Sequence, residues 1–401
     1  MESIRKLALI CLLLVIFAVP TDGLWAIAGM SLVKIAGLLL FGMVALLLIS
    51  GDSLRGSPWF LTAVTIYICW MLFSFLWTWM PINYETSLAS NSQQSIKGQL
   101  YLFMLVLLSF QVLRSEQDLN LAFAAYLLGA LGLVYFLVKG YDPTSTTVRH
   151  EIKGFDANET SLQLSLGLPM ALYLLLMVKS WFFRSLGLIY LPIALFGIFI
   201  TGSRTGFITA LLGFIGLIPW LWHARFIWKI IGLGFFLALA LGITKVVPEK
   251  TLERLFSSGT ELSQGTLSAR SITWSKAWLE INEAPFVGNG LGSFRRVINK
   301  YNIDYTAHNS YIAIMVEQGA VGLLFYLAVI VSVLLQGLRL PPEQRLLMLS
   351  LLAIAIAGQF TLTLNEEMYI WFAYLFVIIK VNLSNQTHVA AIKHYQLRLA
   401  A

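Results

Sequence analysis

Apolar runs recur along the whole chain, from Leu7–Val19 to Met368–Lys380, about twelve in all, and most approach the length that crosses a lipid bilayer. At 1.5 Å rise per residue, about 20 helical residues span the roughly 30 Å hydrocarbon core. Water is absent there, so each backbone N–H and C=O needs a partner from within the protein, and an α-helix supplies one locally. Across 401 residues, 58% are hydrophobic and 12% charged, and mean hydropathy is +0.78, which excludes a water-soluble domain. The expected fold is all-α and polytopic: about twelve transmembrane helices in one integral-membrane domain over residues 1–401. Arg5 and Lys6 before Leu7–Val19 resemble a secretory signal, but no small-x-small cleavage site follows closely. The run is read as an uncleaved first helix.

Positive charge sets the orientation. With a cytoplasmic N-terminus, the cytoplasmic segments hold Arg5, Lys6, Arg55, Arg114, Lys179, Arg184, Arg225, Lys229, Arg339, Arg345, Lys380, Lys393 and Arg398, whereas the opposite short junctions hold little beyond Lys34, Lys97 and Arg204. The positive-inside rule then places both termini in the cytoplasm. The two longer polar segments, residues 139–160 and 245–307, face outward. Trp77 and Trp79 fit an outer aromatic belt, and Trp220, Trp222 and Trp228 an inner one.

Several function classes drop out. The net charge of +7 is spread over both faces and is accounted for by topology and anionic lipids, so membrane lipids are partners and nucleic acid is not. Cys11 and Cys69 lie in apolar runs and indicate neither a disulfide nor a metal site. No cofactor is called for, since no nucleotide-binding fingerprint and no paired-acid metal motif is present.

Against this background, a polar island from Arg270 to Ser310 stands out. Arg270, Trp274 and Trp278 are spaced i, i+4, i+8, which puts them on one helical face. That face fits either an interfacial helix with its tryptophans among headgroups, or an arginine above an aromatic stripe that holds a lipid-linked phosphate. The turn Pro285–Gly292 follows, then His308-Asn309-Ser310 ahead of a long apolar run. Asn309 and Ser310 can cap that helix, placing His308 at its positive end, where the neutral, proton-accepting ring is favoured. A purely structural histidine is the competing reading. Glu317, further along the same run, reads as an internal polar contact.

Arg204 is the third candidate. It sits in Thr201-Gly202-Ser203-Arg204-Thr205-Gly206, between two apolar runs, with a helix starting just after it. It can snorkel to the interface, or bind an anion together with the Ser203 and Thr205 hydroxyls and the helix N-terminus.

Taken together, Gly202-Ser203-Arg204-Thr205-Gly206, Arg270 with Trp274, Pro285–Gly292, and His308-Asn309-Ser310 followed by Glu317, Gly319 and Gly322 resemble the O-antigen ligase family, which also includes O-antigen polymerases. The resemblance covers roughly residues 145–335, with Arg149, Gly154 and Asn158 resembling a further family element. It implies a GT-C-like glycosyltransferase of the Gram-negative inner membrane, inverting and metal-independent, with its active site at the periplasmic face. The implied donor is a glycan on undecaprenyl diphosphate, and the implied acceptor a sugar hydroxyl on lipid A–core. His308 would be the catalytic base, and Arg204 and Arg270 the ligands of the donor diphosphate. Arg149, Asn158, Ser203, Trp274 and Asn309 would be further substrate contacts. A polymerase using a second lipid-linked repeat as acceptor, a flippase or transporter, and a structural membrane partner remain as alternatives.

Overall fold

A computed structural model describes residues 1–27, 29–78, 86–141, 150–223, 225–227, 229–230, 234 and 268–400. Among them, nine helical segments are long and apolar enough to cross a membrane, and Ile96–Val112 is a shorter apolar stretch. The helices are α1 (Glu2–Ala18), α2 (Leu32–Ile49), α3 (Pro58–Thr78), α4 (Thr86–Val112), α5 (Glu116–Lys139), α6 (Ala157–Met177), α7 (Trp181–Ile200), α8 (Arg204–Gly213), α9 (Ile218–His223), α10 (Ser268–Glu283), α11 (Phe294–Asn299), α12 (Ser310–Gly337), α13 (Pro342–Gln359) and α14 (Met368–Ala400). The expected span Ile227–Thr244 lies mostly outside the described residues, as do Trp79, Trp228 and Arg149.

Local chemistry explains where these helices begin. The first N–H groups of a helix lack intrahelical acceptors, and a short polar side chain just before them satisfies one or two. Ser115 and Asp118 form a reciprocal capping box on α5. Asp156 accepts from the amides of Asn158 (2.7 Å) and Glu159 (3.3 Å) to start α6. α6 forms the centre of the bundle, with 83% of its membrane span buried, and the span of α14 is almost as enclosed.

Three departures from the sequence reading have simple causes. A two-residue antiparallel pairing, Ala26 with Ser31 and Ile27 with Met30, interrupts the all-α pattern where the chain reverses between α1 and α2. The run expected at Gly206–Trp222 is split by a 3-10 turn at Phe214–Leu217. Pro219 stands two residues past its end, and a proline has no N–H and crowds the carbonyl four residues back, here that of Ile215 within the turn. α14 continues past Lys380 to Ala400, because apolarity limits the membrane span and not the helix itself.

Ion pairs and polar contacts gather at one end of the bundle. Arg5 meets Asp118 at 3.1 Å, Arg114 pairs with Asp52, and Lys380 meets Glu116 at 2.6 Å. Ser57 donates to Gln336 at 2.7 Å, tying the start of α3 to the end of α12 at that same end. The opposite ends of α3 and α12 therefore lie together, and the polar island is found there. Its described part is more than a loop: α10 and α11 enclose a small core of their own, built on Ala277, Ile281, Phe294, Ile298 and Val316. Glu280 is buried beneath it and takes a hydrogen bond from Tyr301 (2.7 Å) and an ion pair from Lys300 (2.5 Å).

Candidate active site

The organising feature is a break in α12. Gly319 has φ 66° and ψ −170°, which interrupts the helix in the middle of an apolar run. An interrupted helix exposes backbone groups that lipid cannot satisfy. The turn Pro285–Gly292 satisfies them: Ala320 N donates to Pro285 O (2.8 Å) and Val321 N to Phe286 O (3.2 Å). In the other direction, Asn289 N donates to Val316 O (2.9 Å) and Gly290 N to Glu317 O (2.6 Å). Only a residue without Cβ fits on either side of this joint. A Cβ on Gly319 would stand 2.2 Å from Phe286 O, and one on Gly288, which has φ 65°, 2.5 Å from the Glu317 carbonyl carbon. Glu317 adds a side-chain tie, its Oε1 accepting from Phe294 N at 3.1 Å. It is a polar contact as expected, but to the extramembrane segment and not between membrane helices.

The joint fixes the start of α12, where His308 sits. Asn309 is the cap: its Oδ1 accepts from Tyr311 N and Ile312 N, both at 3.0 Å. Ser310 does not share that task. Its hydroxyl donates to Leu362 O (3.1 Å) and accepts from Leu364 N (2.7 Å), anchoring the segment between α13 and α14. Half-buried His308 has φ 46°, a left-handed conformation that turns the chain into the helix.

α10 lies against this turn. Trp274 donates its indole N–H to Ala307 O at 2.7 Å, so the helix carrying half-buried Arg270 is held beside His308. The expected aromatic stripe divides. Trp274 faces the turn while Trp278 is 61% exposed, because residues spaced by four drift about 40° per step around a helix.

Arg204 belongs to a second cluster at the same end of the bundle. It is the first residue of α8, half-buried, and Ser203 before it caps the helix by accepting from Gly206 N at 3.0 Å. The Ser203 hydroxyl donates to Asn158 Oδ1 at 2.8 Å, which joins two of the expected contact residues directly. The two clusters meet a shared segment, residues 360–369. On one side Asn309 Nδ2 donates to Phe360 O (3.3 Å) and Ser310 holds Leu362 and Leu364; on the other, Tyr369 donates to Glu159 at 3.3 Å.

That segment lines a cavity of about 410 Å³ with Glu317, Arg296, Ala307, Thr363, Asn365, Glu366 and Glu367 on its wall. Ala307 places the cavity next to His308. Burial, with Glu159 and Glu366 nearby, raises the Glu367 carboxyl above the usual carboxylate range, and burial lowers the Arg296 guanidinium. Residues 363–367 were missed in the sequence. The available signal was an acid pair, Glu366-Glu367, in a very short junction between two apolar runs, where charge is costly without a role.

Residues 188–327 match the family model described as O-antigen ligase. The match, over about a third of the chain, supports an O-antigen ligase family assignment for this segment. The match runs from within α7 to the middle of α12 and includes Arg204, Arg270, the Pro285–Gly292 turn, His308 and Gly319; Asn158 and the 360–369 segment lie outside it. No curated protein matches the chain. The O-antigen ligase family holds glycosyltransferase-like ligases and polymerases that act on lipid-linked glycans in membranes, in keeping with the apolar helices here.

Proposed function

We propose that the chain is an O-antigen ligase, with a GT-C-like bundle of about twelve membrane helices in the Gram-negative inner membrane. It transfers a glycan from undecaprenyl diphosphate to a sugar hydroxyl of lipid A–core at the periplasmic face. The observation that carries this reading is the Trp274–Ala307 hydrogen bond, which holds the Arg270 helix against the His308 turn inside the family-matched segment. In the reaction, the acceptor oxygen attacks the anomeric carbon, whose bond to the diphosphate oxygen breaks with inversion. His308 takes the hydroxyl proton, and the electron pair leaves on undecaprenyl diphosphate. Arg204 and Arg270 stabilise that departing charge, since preorganised cations act most strongly where charge develops and water is scarce. Ser203, Asn158 and Asn309 orient the groups around them. Arg149, which lies outside the described residues, is a further contact in this reading.

The test is a reconstitution: purified chain in lipid, with a glycan on undecaprenyl diphosphate and either lipid A–core or a second lipid-linked repeat. A ligase makes glycosylated lipid A–core. Formation of the longer lipid-linked chain alone would assign a polymerase, and no transfer to either would reject the enzyme. In the same assay Arg204→Lys and Arg270→Lys each lower transfer at least tenfold, because lysine keeps the charge but loses the planar two-pronged contact with a diphosphate. Wild-type transfer by both variants would remove the arginines from the donor site.

Compartment is tested separately. In a background without Cys11 and Cys69, Asn282→Cys on the exposed side of α10 reacts with a membrane-impermeant thiol reagent added from the periplasm, and Glu343→Cys at the start of α13 does not. Reversed labelling would place Arg270 and His308 in the cytoplasm and defeat the ligase assignment.

A further inference from the structure

A second cavity, of about 370 Å³, lies at the end of the bundle away from His308. It is formed by the chain entering α3, the end of α4 and the last turns of the α14 membrane span. Its apolar side is built from Phe110, Leu113, Ile379 and Leu383, all buried. Its polar side carries Arg55, Arg114, Asn382, Asn385 and Gln386, and among the described residues no carboxylate lines it. Ile379, Asn382, Leu383 and Gln386 recur at i, i+3, i+4 and i+7, so one face of α14 supplies both kinds of wall.

The charge balance of this wall favours an anion. Arg114 is held in place by Asp52 and by Gln111 O (2.6 Å), and Asp118, which accepts from Arg114 N, is paired with Arg5. Arg55 is different. Its backbone N–H and carbonyl are tied to the Gln111 side-chain amide at 3.1 and 2.9 Å, which fixes its place at the cavity. Its side chain is exposed and forms no ion pair or hydrogen bond among the described residues; it acts on Asp52 only through space. Asn382, Asn385 and Gln386 likewise make no side-chain hydrogen bond there, so three amides and a guanidinium converge with donors to spare.

We propose that this cavity is a binding site for an anionic phospholipid. Arg55 and the α14 amides hold the phosphate oxygens, and the glycerol and first acyl carbons lie against Phe110 and Ile379. The membrane span of α14 ends at Gln386, so the polar side stands at the depth where headgroups lie. A free phosphate would leave the apolar side unused. A zwitterionic headgroup would bring its cation to a wall that carries two guanidinium groups and no carboxylate to meet it. The site lies outside the family-matched residues and is independent of the transferase reading.

The experiment titrates the full chain in detergent with phosphatidylglycerol or phosphatidylcholine of identical acyl chains, and reads the affinity of the first bound lipid by native mass spectrometry. Phosphatidylglycerol binds roughly five- to tenfold more tightly, as one or two basic groups at a membrane surface give. Arg55→Gln weakens it about tenfold, the loss expected for a hydrogen bond to a charged group. Asn382→Leu, which keeps size and charge but removes the amide, also weakens it. Lys6→Gln removes the same charge from an exposed position at this end of the bundle but outside the cavity, and changes the affinity by less than about twofold. Thermal unfolding shows all three variants folded, and millimolar inorganic phosphate does not displace the lipid. Equal affinity for the two lipids, or unchanged binding in both Arg55→Gln and Asn382→Leu, would overturn the proposal. So would equal losses in Arg55→Gln and Lys6→Gln, which would mean diffuse attraction to the surface, and displacement by phosphate, which would mean a site for free anions.

Discussion

His308→Asn lowers glycan transfer by about a hundred- to ten-thousandfold, the range expected when a positioned general base is removed. Asparagine is the informative replacement because residue 308 has φ 46°, a left-handed conformation that asparagine adopts with little cost and most other side chains resist. The capping of α12 is untouched, since Asn309 supplies it through Tyr311 N and Ile312 N. The variant therefore folds and inserts like the parent, and a loss of activity reads on chemistry. Single-turnover kinetics with bound donor separate the outcomes: the chemical step slows while affinity for the lipid-linked donor stays within a few fold. Turnover close to that of the parent would show that the acceptor proton leaves by another route, and the base assignment would be withdrawn.

What could be read from sequence was local. The apolar runs set the helices, and the residue type at the start of α12 named its cap: Asn309 is found capping, while Ser203, read only as an anion contact, turns out to cap α8. A cap is a contact over two or three residues, so its chemistry is written in adjacent positions. The spacing of Arg270, Trp274 and Trp278 gave the helix but not its packing, and tertiary contact turned Trp274 inward and left Trp278 exposed. Ser310 looked like a second cap because the sequence cannot show that Leu362 and Leu364 will meet its hydroxyl. The acidic wall of the cavity stayed hidden for the same reason. Thr363 and Asn365 acquire meaning only once α12 and α14 bring them beside Ala307, a relation between segments more than fifty residues apart.

The joint between the Pro285–Gly292 turn and α12 combines both kinds of information, and it carries the largest expected effect on stability. The glycines announce a turn, but nothing in their spacing says that the turn will stand in for missing helical hydrogen bonds at Gly319. Gly319→Ala places a Cβ 2.2 Å from Phe286 O in a backbone conformation, φ 66° and ψ −170°, that is essentially reserved for glycine and costs an L-residue about 1–3 kcal/mol before any clash. Relief requires moving the turn away, which weakens the four backbone hydrogen bonds of the joint, each worth about 1 kcal/mol net. The loss should exceed about 3 kcal/mol, which is a large part of the margin of a typical domain. Gly42→Ala in α2 is the control, because a Cβ there meets nothing within 4 Å and alanine suits a helix interior better than glycine. Thermal unfolding in detergent, followed by circular dichroism, should show a clear drop for Gly319→Ala and none for Gly42→Ala. Glycan transfer falls with it, since the joint holds Glu317 against Phe294 and with it the wall of the cavity beside His308. Equal midpoints for the two variants would mean that the turn yields without cost, and that something other than this joint fixes the start of α12.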